Sequence, residues 1–123
     1  MPGDQCQRQQ QPHLQFAATQ LLGKLASGEL LSPESTELLY GIMGLDKYEA
    51  YRLEAGLDKA LPFIQKTGTQ QYRACHVGVA NPQDDNALVI VACAAELDEN
   101  DEAGKLFEQV GEAVQELVLN WVL

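Results

Sequence analysis

From His13 onward, Leu14, Phe16, Ala17, Leu21, Leu22 and Leu25 recur at helical spacing, and Gly28 stands where such a helix would end. The pattern predicts a first helix over about 13–27. Ser32-Pro33-Glu34 reads as a second helix start: Ser32 can accept from free amides, Pro33 brings a suitable φ, and Glu34 meets the positive end of the dipole. A short helix to about Met43 follows, and Gly44 permits a turn. Asp46 then caps a third predicted helix through Lys47, Tyr48, Ala50, Tyr51, Leu53, Leu57, Ala60 and Leu61, which Pro62 ends.

The period then changes from helical to twofold. Cys75, Val77 and Val79 alternate with Tyr72, Ala74, His76 and Gly78, which predicts a strand over about 69–80. After the polar loop from Asn81 to Asn86 comes a nearly unbroken apolar run holding Val89, Ile90 and Val91, a second strand over about 87–96. The two make an antiparallel hairpin. A strand apolar on both sides is expected to be covered on both faces or to lie centrally in a sheet shared between subunits.

The last element has the clearest pattern. Ala103, Phe107, Val110, Val114, Leu117 and Trp121 are spaced alternately by four and three, behind the acidic Asp98, Glu99, Asp101 and Glu102. A long amphipathic helix over about 99–122 is expected. The fold class is therefore α+β: a helical N-terminal half, one hairpin and a long C-terminal helix.

Before all this lies a Gln-rich stretch with Pro at both ends. Residues 1–12 are read as a disordered tail and 13–123 as a single α+β domain, since 123 residues suit one core. Met1 to Gln11 lacks the apolar core of a signal peptide, and no apolar run nears the about 20 residues of a membrane span. A cytoplasmic location is the expectation. Eighteen acidic residues against eight scattered basic ones give a formal charge of −10, which argues against nucleic acid and anionic membranes as partners.

Candidate chemistry is sparse. If Val79 faces Val89 across the hairpin, Cys75 faces Cys93. The three cysteines, Cys6, Cys75 and Cys93, are expected as free thiols in a reducing compartment; a redox disulfide or half a zinc site at Cys75 and Cys93 are the alternatives. His76 points away from Cys75 on a regular strand, so the two do not form a nucleophile and base pair. Asp84-Asp85 reads as turn chemistry. Gly41-Ile42-Met43-Gly44 lacks the Lys of a phosphate loop. No catalytic, cofactor or metal residues are assigned.

Arg52-Leu53-Glu54-Ala55-Gly56-Leu57 resembles a stretch of the folate-dependent aminomethyltransferases over those six residues alone, and no function is carried over from it. In size and layout the chain resembles the secretion chaperones of type III systems, which implies a protein-binding role. The broad apolar stripe of the last helix includes Gly104 and Gly111, each costing about 1 kcal/mol relative to Ala, so a close neighbour on that flank is expected. Glu108, Glu112 and Glu116 form an acidic ridge opposite, suited to solvent or a basic partner.

The sequence thus points to a small acidic interaction module without catalysis, an adaptor, inhibitor or chaperone-like protein. A homodimer is expected through Phe107, Val114, Leu117, Val118, Trp121 and Val122, with a redox- or ligand-sensing domain using Cys75 and Cys93 as the alternative. An enzyme subunit completed by a partner chain is the third reading.

Overall fold

The structure is a computed structural model that describes residues 15–44 and 52–122. Helix α1 covers residues 15–26, and the positive φ of Gly28, 82°, lets the chain reverse after it. The Ser32 hydroxyl accepts from the Ser35 amide at 3.2 Å and starts α2, Pro33–Met43, as the sequence predicts. The tail over 1–12 lies outside the described residues.

The third predicted helix is not there in its described part. Arg52–Gly56 is a single 3-10 turn, and residues 57–62 form turns that lead into a strand. The strand is β1, Phe63–Gln70, which the sequence reading missed. It joins β2, Arg73–Ala80, through the two-residue turn Gln71-Tyr72, and β3, Leu88–Ala95, follows. Among the described residues the sheet is antiparallel in the order β1-β2-β3, with β1 and β3 at its edges.

Alternation sorts the sheet into two faces. Ile64 and Val79 pack with Leu22, Leu25 and Tyr40 of α1 and α2, flanked by Val77, Val89 and Val91. On the other face Ala74 and Ile90 pack with Leu53, Ala103 and Phe107. β3 is covered on both faces within the chain, and the C-terminal helix α3 supplies much of the second cover. It runs as an α-helix over Glu102–Val114 and continues through a π-helical stretch, Gln115–Leu119.

The close neighbour expected beside α3 is the 3-10 turn. A Cβ on Gly111 would collide with the Leu53 carbonyl, and one on Gly56 with backbone of Glu108 and Glu112, whereas Gly104 has open space. Two glycines thus let two backbones touch.

The C-terminal residues expected at an apolar interface divide between the chain's own core and its surface. Phe107, 1% exposed, belongs to the chain's own core, and Val114 packs against that core. Trp121, Leu117 and Val118 are exposed at 84%, 69% and 37%. The Val122 side chain lies outside what is described. Among the described residues no helix is long and apolar enough to cross a membrane.

Candidate active site

Lys66, Thr67 and Gly68 stand in the middle of β1, on the outer edge of the sheet. Their surroundings follow from the pleat. Lys66 and Gly68 share the face of Ile64 but lie beyond its cover, and both are exposed. Thr67 and Thr69 share the opposite face with Gln65, toward the 3-10 turn. The Lys66 ammonium donates to the Thr67 carbonyl at 2.6 Å.

Behind the strand the guanidinium of Arg52 is buried, 2% exposed, with a left-handed backbone φ of 53°. Its Nη1 donates to the carbonyls of Gly68 at 3.4 Å and Cys75 at 3.2 Å. Its Nη2 donates to Thr69 Oγ1 at 2.8 Å and the Glu99 carbonyl at 3.2 Å, and the group lies over the Phe107 ring at 5.8 Å. One cation therefore ties β1 to β2 and to the approach of α3. A left-handed non-glycine residue costs of order 1 kcal/mol and persists where its surroundings hold it.

His76, directly opposite Thr67 in the register, is completely buried. The sequence reading placed it on the less apolar strand face, but that face is the one α3 and the 3-10 turn cover. Its Nδ1 accepts from the Leu53 amide at 3.1 Å, so the neutral ring carries its proton on Nε2, 2.5 Å from Gln65 Oε1. Burial first, and the positive Arg52 second, push its pKa down to about 4.

Cys75 and Cys93 face each other as the hairpin register predicts, and they are joined as a disulfide with Cα atoms 4.1 Å apart. This corrects the expectation of free thiols at both positions. Among the described residues no group of three or more His, Cys, Asp or Glu side chains is placed to hold a metal. A separate open groove of about 570 Å³ lies between α2 and the loop after β2, lined in part by Glu37, Tyr40, Asn81 and Asp84, and Lys66 to Gly68 do not border it.

Comparison with known proteins gives this strand its meaning. The model of the β-lactamase enzyme family matches residues 12–118, and the chain belongs to that family. The fold is similar to the solved structure of PBP-A, with a TM-score of 0.71 and 25% identity over 83% of this chain and 38% of that one. The acyl-enzyme complex of a PBP-A variant with penicillin G matches with the same scores and coverage. A β-lactamase from Xanthomonas campestris pv. campestris matches with a TM-score of 0.73 and 24% identity, over 84% of this chain and 40% of that one. The chain thus spans about two-fifths of the length of these structures. No curated protein matches the sequence.

These findings overturn the reading as a non-catalytic adaptor, inhibitor or chaperone-like module, with its basic protein partner and its homodimer, and equally the alternative of a Cys75 and Cys93 sensor. The family is one of enzymes that act on a substrate.

Class A β-lactamases and penicillin-binding proteins carry three motifs: S-x-x-K, S-D-N and K-T-G. Lys66-Thr67-Gly68 is the third. The 123 residues contain neither of the others: Ser27, Ser32 and Ser35 are followed three places on by Leu30, Ser35 and Leu38, and none precedes Asp-Asn. The tripeptide itself was the signal that sequence reading passed over. Nothing in the sequence marks Arg52, since its role depends on a backbone conformation and on acceptors 16 to 47 residues away.

Proposed function

We propose that this chain forms the K-T-G side of a β-lactamase-family acyl-transfer site, with Lys66 and Thr67 binding the anionic end of a β-lactam or a related acyl substrate. The observation that carries the reading is the exposed Lys66-Thr67-Gly68 on the outer edge of β1, in a chain that matches the family over 12–118. Lys66 and Thr67 leave opposite faces of this edge strand, so a substrate lying along the edge can meet both, and the exposed ammonium suits a carboxylate because hydrogen bonds between ionised partners are roughly twice as strong as neutral ones. The unpaired backbone of an edge strand offers further amides and carbonyls to an extended ligand.

The chemistry belongs to a serine nucleophile: its hydroxyl oxygen attacks the lactam carbonyl carbon, the ring C–N bond breaks, the nitrogen takes a proton, and an ester remains. That serine stands in S-x-x-K, which these residues lack, so this chain supplies recognition and orientation, and the ester forms on a segment carrying S-x-x-K and S-D-N.

Intact-mass measurement tests the division of labour. The chain incubated with penicillin G is expected to gain no ester adduct. Joined to a family segment bearing S-x-x-K and S-D-N, the assembly is expected to gain one, and Lys66→Ala to slow its formation at least about a hundredfold, the weight of one positioned electrostatic contact. Stoichiometric acylation of the chain alone, or an assembly indifferent to Lys66→Ala, contradicts the reading.

A further inference from the structure

Among the described residues β1 has a neighbouring strand on one side only; it carries a glycine in its interior and is exposed over Lys66 and from Gly68 to Gln70. Such a strand has little of its own to hold a reactive group still. Its far face supplies the restraint. The Leu53 amide donates to His76 Nδ1 at 3.1 Å, His76 Nε2 donates to Gln65 Oε1 at 2.5 Å, and Gln65 Nε2 donates to Glu54 Oε2 at 2.6 Å. This relay leaves the 3-10 turn at Leu53, passes through β2 and β1, and returns to the turn one residue later at Glu54. Every donor meets an acceptor, and hydrogen bonds chained in one direction polarise and strengthen each other in a low-dielectric interior.

We propose that His76, Gln65 and Glu54 are positioning residues, a closed hydrogen-bond relay that fixes the β1 backbone carrying Lys66 and Thr67. Gln65 precedes Lys66, so anchoring its side chain on one face sets the backbone from which Lys66 leaves on the other. Arg52 holds the far end through Gly68 and Thr69, and the tripeptide is bracketed on both sides. The Phe63 ring stands edge-on to His76 at 5.9 Å between centroids and limits movement of the imidazole. The inference deepens the functional reading above and rests on it for its consequence, but the relay itself is measurable without any ligand.

Swapping the polarity of one link separates this role from ordinary core packing. Gln65→Leu removes the middle of the relay. Gln65→Glu sets a second carboxylate against Glu54, and the double variant Gln65→Glu with Glu54→Gln restores a donor facing an acceptor at both joints. In the ligand-free chain, amide exchange over 66–69 is expected to rise about tenfold in both single variants while exchange over 88–95 changes less than about twofold, and the double variant to return to within about twofold of wild type. The affinity for penicillin G, read from amide shifts of the same four residues, is expected to fall and recover in step. Unchanged exchange over 66–69 in Gln65→Leu, or a double variant no better than Gln65→Glu, overturns the relay. Should Gln65→Leu fail to fold, the two polar variants alone decide. A wild type that ignores penicillin G while the exchange pattern holds counts against the functional reading and leaves the relay standing.

Discussion

Arg52 and Thr69 are joined across 17 residues by a 2.8 Å hydrogen bond from the buried guanidinium to the threonine hydroxyl, immediately after Lys66-Thr67-Gly68. The same guanidinium serves the carbonyls of Gly68, Cys75 and Glu99. Lysine has no planar fork to reach these acceptors together. Arg52→Lys is therefore expected to destabilise the chain by about 3 kcal/mol, since hydrogen bonds to charged groups are each worth about 1.5 to 3. The urea midpoint checks this, and an unchanged midpoint would remove Arg52 from the account.

The protonation of His76 gives stability an acid limb. Its pKa falls from 6.5 in the unfolded chain to about 4 in the fold, so the folded state binds the proton more weakly. The contribution is fully present above pH 6.5 and is lost as the pH falls toward 4. It amounts to about 3 kcal/mol by linkage. Asn at position 76 keeps an acceptor near Nδ1 and does not titrate. Urea unfolding at pH 7 and pH 4.5 is expected to show a smaller acid loss for His76→Asn than for wild type, and equal losses would mean another group sets the limb.

Two glycines of α3 are expected to respond in opposite directions. Gly104→Ala meets open space and should stabilise by about 0.5 to 1 kcal/mol. Gly111→Ala meets the Leu53 carbonyl and should destabilise by about 1 to 3 kcal/mol while loosening the turn that holds Arg52. Matching effects at the two sites in thermal unfolding would refute the close contact.

The first two helices, the last helix, the hairpin register and the α+β class were legible because they rest on repeated apolar spacing. The Val79 and Val89 pairing carries Cys75 onto Cys93 without further information. β1 was not legible by that route. Only Phe63 and Ile64 in it are large and apolar; Lys66 and Gly68 lie on an exposed face, while Gln65 and Thr69 meet the polar groups of His76, Glu54 and Arg52 on the other. Segment 52–56 looked helical because Leu53 and Leu57 are four apart, but the burial of Arg52 and the close approach of Gly56 to α3 hold it as a single 3-10 turn. The candidate site was hidden for the same reason: Lys66-Thr67-Gly68 breaks the hydrophobic rhythm and is readable as a motif, not as a pattern.

The disulfide changes an expectation about thiols. With Cys75 and Cys93 bonded, these two positions should give no thiol in denatured oxidised chain and two more thiols once it is reduced. Reduction removes a link across 18 residues and should lower stability by about 3 kcal/mol in the chain-entropy account. Three free thiols in the unreduced protein would contradict the bond.

An isotope-edited amide titration of the chain with penicillin G asks whether the strand carrying Lys66, Thr67 and Gly68 meets the substrate. Shifts are expected to concentrate over residues 66–69, with Lys66→Ala abolishing them and Lys105→Ala, on the exposed surface of α3, leaving them intact. Shifts centred elsewhere, or an identical response from Lys66→Ala, would contradict that contact.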